Sequence, residues 1–140
     1  MELTAGQIWD GTAALMEIIN RPRQIPQIAK YRISKLFGAL EDRYQAIELS
    51  RVDLVKELGH ETLDETSKQS LGWQVPAEKM DEYKKRWTDL RNAKQDVPGV
   101  SPMYLSSFGD PEHSGIEAHE FRSLGPLVVE DPEAPPKSVA

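Results

Sequence analysis

The sequence contains no cysteine. That excludes a disulfide framework, thiolate zinc sites and a cysteine nucleophile, and it fits a reducing compartment. No stretch approaches the roughly 18 consecutive apolar residues of a membrane helix, so no membrane partner is expected. The start, Met1-Glu2-Leu3-Thr4, has no basic region of the kind that opens a secretory signal. The expectation is a soluble protein made in the cytoplasm. Glycine-rich phosphate loops of the Walker and dinucleotide types are missing, and so is a Gly-x-Ser-x-Gly elbow.

Surplus positive charge is missing as well. The formal net charge is −6. Residues 1–95 hold 15 basic and 15 acidic residues, whereas residues 96–140 hold 2 and 8, which accounts for the whole imbalance. An acidic end behind a neutral body argues against nucleic acid, whose binding needs clustered cations to release counterions. Apolar residues are scarce too, at 39% against 29% charged. A chain of 140 residues fits one domain with appendages, its core is thin, and a thin core is common where a partner covers the remaining apolar surface.

Helical periodicity, by contrast, is strong. Thr4 suits an N-cap, and Ile8, Thr12, Leu15 and Ile19 come after it at spacings of 4, 3 and 4, with Trp9, Ala13 and Met16 beside them. This predicts a helix over 4–20, which Gly6 and Gly11 either weaken or open to a close neighbour. Asn20-Arg21-Pro22-Arg23 is a stop, and Pro26 suits the first turn of a second helix. There Ile33, Leu36, Leu40, Tyr44, Ile47, Leu54 and Leu58 form a seam interrupted once by Arg51, and Gly59 is placed to end it. That helix runs about 33 residues, or about 50 Å at 1.5 Å per residue.

So long a helix exceeds the diameter of a compact domain of this size. The first helix can pack antiparallel along part of it as an αα-hairpin. The rest must meet the C-terminal half, another copy or a different protein.

Residues 60–75 read as a small β-hairpin around Leu63 and Leu71-Gly72-Trp73-Gln74-Val75. Pro76 opens a third helix with Met80, Tyr83, Trp87 and Leu90 on one stripe, ending near Lys94. After Asp96, turn clusters break the pattern until a short helix over 117–124, with Phe121 and Leu124 facing inward. The last ten residues, from Asp131, are rich in proline and read as a disordered tail. The fold class expected is mainly α: an αα-hairpin with one long helix, a third helix, a small β-hairpin and an extended C-terminal arm. The domain division expected is a helical domain over 1–95 and an acidic arm over 96–140.

Site chemistry is thin. His113 and His119 lie six apart among Glu112, Glu117 and Glu120, but a helical zinc site wants ligands at i and i+3 or i+4, so no metal or other cofactor is expected. Carboxylate pairs such as Glu41-Asp42 and Glu130-Asp131 lack the desolvation that tunes a general acid. No enzyme activity and no small-molecule substrate are expected.

Binding chemistry is better represented. Between Ile18 and Leu40 lie Arg21, Arg23, Lys30, Arg32 and Lys35 with no acidic residue, a cationic stretch that is either a solvated helix face or a contact for an acidic surface. The C-terminal acids, Glu130 and Asp131 among them, on a neighbouring copy would complement it and set orientation. Tyr83 and Trp87 fall on the apolar stripe and read as core. Trp9, Tyr31 and Trp73 are the candidate interface anchors, since Trp and Tyr dominate binding hot spots.

Several segments resemble a small family of tailed-bacteriophage proteins. They are Leu3-Thr4-Ala5-Gly6-Gln7-Ile8 at the start, and Tyr31-Arg32-Ile33-Ser34-Lys35 at the entry to the long helix. Leu40-Glu41, Arg51-Val52-Asp53-Leu54-Val55-Lys56-Glu57-Leu58-Gly59 and the closing stretch from Ile116 to Val128 are also similar. The proline-rich ending after Glu130 departs from the pattern. The resemblance implies a minor virion component of the head–tail or tail region, in contact with other phage structural proteins or with copies of itself, and it brings no catalytic residue. The alternatives are a phage-encoded inhibitor or adaptor that binds a host enzyme through acids such as Asp110, Glu112, Glu117, Glu120, Glu130, Asp131 and Glu133, or an assembly chaperone.

Overall fold

The first helix begins with a reciprocal cap. In the computed structural model, which describes residues 1–21, 23–110 and 112–131, the Gln7 backbone N–H donates to the Thr4 hydroxyl at 3.1 Å. The Thr4 N–H donates back to the Gln7 carboxamide at 2.9 Å. Strand β1 (Glu2–Thr4) feeds directly into α1 (Ala5–Asn20). A short connection then leads to α2 (Gln27–Leu58), the long helix that the seam predicts. Trp9 of α1 stacks on Tyr44 of α2, while Ile18 shares a cavity with Ile33, so the two helices run antiparallel.

The seam of α2 faces inward as its spacing requires. Ile33, Leu36, Leu40, Ile47, Leu54 and Leu58 are buried, with Tyr44 and Arg51 half-buried between them. On α1 the stripe is displaced at its end: Ile18 is buried and Ile19 is exposed. The buried face turns toward Gly11, Ala14 and Ile18 because the C-terminal part of the chain packs on that side.

Beyond α2, β2 (His60–Leu63) and β3 (Ser70–Gln74) form an antiparallel hairpin with a bulge between Thr62 and Leu63. Gly59 ends α2 without a left-handed turn; its φ is −108°. Glycine is needed there for space, because a Cβ would lie 2.5 Å from the Gln74 carbonyl oxygen of the hairpin. After Pro76, one 3-10 turn leads into α3 (Met80–Arg91). This helix stops short of Lys94 because Lys94–Asp96 forms β4, antiparallel to β1. No residue of α3 is fully buried; Met80, Tyr83, Trp87 and Leu90 form a half-buried stripe.

The rest of the chain returns to the body. Strand β5 (Met103–Tyr104) pairs in parallel with β6 (Val128–Val129), and α4 (Ala118–Leu124) packs against α1. Leu124 is buried as expected, and Phe121 meets Phe108 edge to face at 5.5 Å. The boundary expected at residue 95 is not a boundary in the packing. Val97, Val100, Met103, Phe108, Ile116, Leu124 and Leu127 share one apolar cluster with Leu3, Ile8, Leu15, Ile33 and Leu40. The segment after Asp96 therefore covers the αα-hairpin over its described length, where the charge asymmetry pointed to an arm reaching away from it. The proline-rich tail expected beyond Asp131 lies outside the described residues.

Candidate interaction surfaces

Two of the residues expected at an interface are occupied inside the molecule. Trp9 stacks on Tyr44 with ring centroids 4.8 Å apart and meets Trp87 edge to face at 5.5 Å. The Arg51 guanidinium lies 5.9 Å from its ring. Trp9 joins α1, α2 and α3 and is not a free anchor, because α3 lies over the face it occupies. Arg23 is likewise withdrawn. Its side chain is 4% exposed and grips the Glu120 carboxylate, itself 0% exposed, with bonds of 2.8 and 2.9 Å. Its Nη1 also donates to the Gly115 carbonyl.

That ion pair is the strongest polar feature that sequence reasoning missed. Glu120 further accepts the Glu117 backbone N–H at 3.0 Å, which closes the start of α4. Burial works to raise the Glu120 carboxyl, but the Arg23 hydrogen bonds, the Glu117 N–H and the Arg23 and Arg21 charges outweigh it, and the net direction is downward. A basic residue in a turn and an acid on a predicted helix were both visible. Nothing local links two positions 97 residues apart.

The remaining cations divide by partner. Arg21, just past the end of α1, pairs with Glu17 of that helix. Lys30, Arg32 and Lys35 stand on the exposed face of α2, and no ion pair forms with any of them among the described residues. Tyr31 is 64% exposed among them, and Ile28 is exposed one turn earlier. An aromatic ring framed by three cations that make no ion pair among the described residues is a surface suited to an acidic partner.

A second surface lies at the other end of α2. Neither strand of the hairpin contains a buried residue, and Leu63, Leu71 and Trp73 are all exposed. Trp73 closes a shallow cavity of about 210 Å³ with Arg51, Val52, Val55 and Lys56 of α2. The Lys56 ammonium lies 5.9 Å from the Trp73 ring centroid, which orients the indole. Leu49 of α2 adds a further exposed apolar side chain.

Glu130 and Asp131 are exposed as expected, but Asp131 is fastened. It accepts the Ser106 backbone N–H at 2.9 Å and the Ser106 hydroxyl, and these bonds hold its carboxyl below the usual range. The histidines stand apart: His113 contacts Asp110 at 2.7 Å, and His119 lies 3.1 Å from Glu117. Among the described residues no group of three or more His, Asp or Glu is placed to hold a metal ion, and no helix is long and apolar enough to cross a membrane. Of the acids that an inhibitor's contact surface would use, Glu120 is buried. Comparison with family models, with curated proteins and with solved structures finds no match to this chain.

Proposed function

We propose that this chain is a non-enzymatic structural protein of a tailed-phage particle, a minor component of the head–tail or tail region. It works through contacts with other phage structural proteins or with copies of itself. The observation that carries this reading is the hairpin. Two strands with no buried residue and with Leu63, Leu71 and Trp73 outside are marginal alone in water, and a partner surface would complete them. The cationic face around Tyr31 offers a second, chemically different contact on the same long helix, as a component joined to two neighbours requires. The resemblance of most of residues 3–130 to tailed-phage proteins supplies the setting.

The test is incorporation. Leu71→Asp combined with Trp73→Ala removes two of the three exposed apolar side chains of the hairpin and touches no residue of the apolar cluster, so the only packing lost is that of Trp73 on α2 and stability should fall by about 1–2 kcal/mol. Particles assembled with this variant should retain about tenfold less of it than of the natural chain, because hot-spot aromatics carry most of a contact's energy. Equal incorporation would overturn the assignment of the hairpin as the contact.

A further inference from the structure

The outward face of α2 has a pattern of its own. Ile28, Tyr31, Lys35, Asp42 and Leu49 recur at spacings of 3, 4, 7 and 7, which places them on one stripe about 30 Å long. The buried seam of Ile33, Leu36, Leu40 and Ile47 lies on the opposite side of the helix. All five stripe residues are exposed, with Ile28, Tyr31 and Leu49 at 62%, 64% and 65%. Neither Lys35 nor Asp42 joins an ion pair among the described residues. They stand two turns apart, about 10 Å along the axis, beyond the reach of an i,i+4 pair.

This stripe is its own complement. Its first half is cationic, with Lys35 beside Arg32, and its second half opens on the acid Asp42. A second α2 laid antiparallel on the first, with the two-fold axis crossing between residues 38 and 39, sets Lys35 opposite the partner's Asp42. The same axis sets Ile28 opposite the partner's Leu49. Each contact then occurs twice, as an isologous interface requires. A parallel arrangement would instead stack Lys35 on Lys35 and Asp42 on Asp42, and like charges set against each other are costly. The charge pairs therefore fix orientation and register, while the apolar side chains at the two ends supply burial.

We propose that the outward face of α2 is a homodimer interface, occupied by α2 of a second copy of this chain in antiparallel orientation about an axis beside Gly38. The proposal rests on the reading of the Tyr31 face as a contact and names its partner. The dimer forms in the purified chain, so its loss and a failure to enter particles are separate observations.

Sedimentation equilibrium of the full chain should show a monomer–dimer equilibrium. Lys35→Glu and Asp42→Lys should each raise the dissociation constant by about tenfold or more, because each sets like charges together at two places. The double variant Lys35→Glu/Asp42→Lys should return to within about threefold of the natural chain. The two side chains do not meet within one molecule, so a merely structural role would give no such rescue. Because the chain has no cysteine, single cysteines then test the register. Gly38→Cys, where a Cβ has nothing within 4 Å, should form a disulfide with its mate on mild oxidation. Gln45→Cys should not, since the antiparallel pair holds the two copies of that position about 20 Å apart. A chain that stays monomeric to about 1 mM would overturn the proposal. So would a dimer indifferent to Lys35→Glu, or crosslinking at both positions or at neither. A dimer lost instead in Leu71→Asp/Trp73→Ala would overturn it too, and would assign self-association to the hairpin.

Discussion

Removing the Arg23 guanidinium leaves the Glu120 carboxylate buried, with the Glu117 N–H as its remaining hydrogen-bond donor among the described residues. An uncompensated buried charge is far more costly than the pair is favourable. Arg23→Ala should therefore lower unfolding free energy by about 3–5 kcal/mol, measured by urea denaturation. A loss below about 1 kcal/mol would mean that the pair is solvated in solution. The pH dependence has a definite sign. The Glu120 carboxyl is depressed in the folded chain, so its contribution is fully present above the ordinary glutamate pKa. It is lost as pH falls through the lower folded value. Glu120→Gln should accordingly flatten the acid limb of the stability curve and lower stability near neutral pH. An acid limb as steep as that of the natural chain would assign acid sensitivity to other carboxylates.

At the scale of elements, two glycines in helices make opposite predictions. A Cβ on Gly11 would meet the Leu127 Cδ1 at 2.6 Å, inside the contact between α1 and the turn after α4. Gly11→Ala gains about 1 kcal/mol of helix propensity but overpacks a fully buried leucine at about 1–3 kcal/mol, so the net effect should be destabilising. Gly38, on the exposed side of α2, has nothing within 4 Å of the same position. Gly38→Ala should stabilise by about 0.5–1 kcal/mol. Thermal unfolding of the two variants checks both signs. These glycines also mark what was legible. The inward positions of α2 came from spacing alone, as did the Thr4 cap and the Pro26 and Pro76 helix entries, because each is a local rule. The packing face of α1 did not, since Ile18 and not Ile19 is the buried residue, on a helix covered by both α2 and α4. The β1–β4 and β5–β6 pairs join short, irregular segments far apart in sequence, and no periodicity in 2 or 3 residues announces a partner.

The whole molecule is one apolar cluster with a long helix that outruns it. Most of the buried part of α2 joins that cluster, while Leu54 and Leu58, also buried, lie outside it toward α3 and the hairpin. Charge counting drew the body and the acidic end apart, but the acids of 96–131 lie on segments whose apolar residues complete the core. Composition cannot distinguish an arm that reaches away from one that folds back. Of the candidate site, the exposed positions of Lys30, Tyr31, Arg32, Lys35 and Trp73 were legible, because solvated helix faces and hairpins obey local pattern. The internal use of Trp9 and Arg23 was not, because it depends on contacts with α3 and α4.

The role proposed for this chain is that of a component of a tailed-phage particle. The first experiment is quantitative mass spectrometry of particles purified from a phage that carries this gene. A particle component should be found at a fixed stoichiometric ratio to known structural proteins, and that ratio would also report the symmetry of its position. Expression during infection with no chain in the purified particles would contradict it, and would move the inhibitor or chaperone reading to first place.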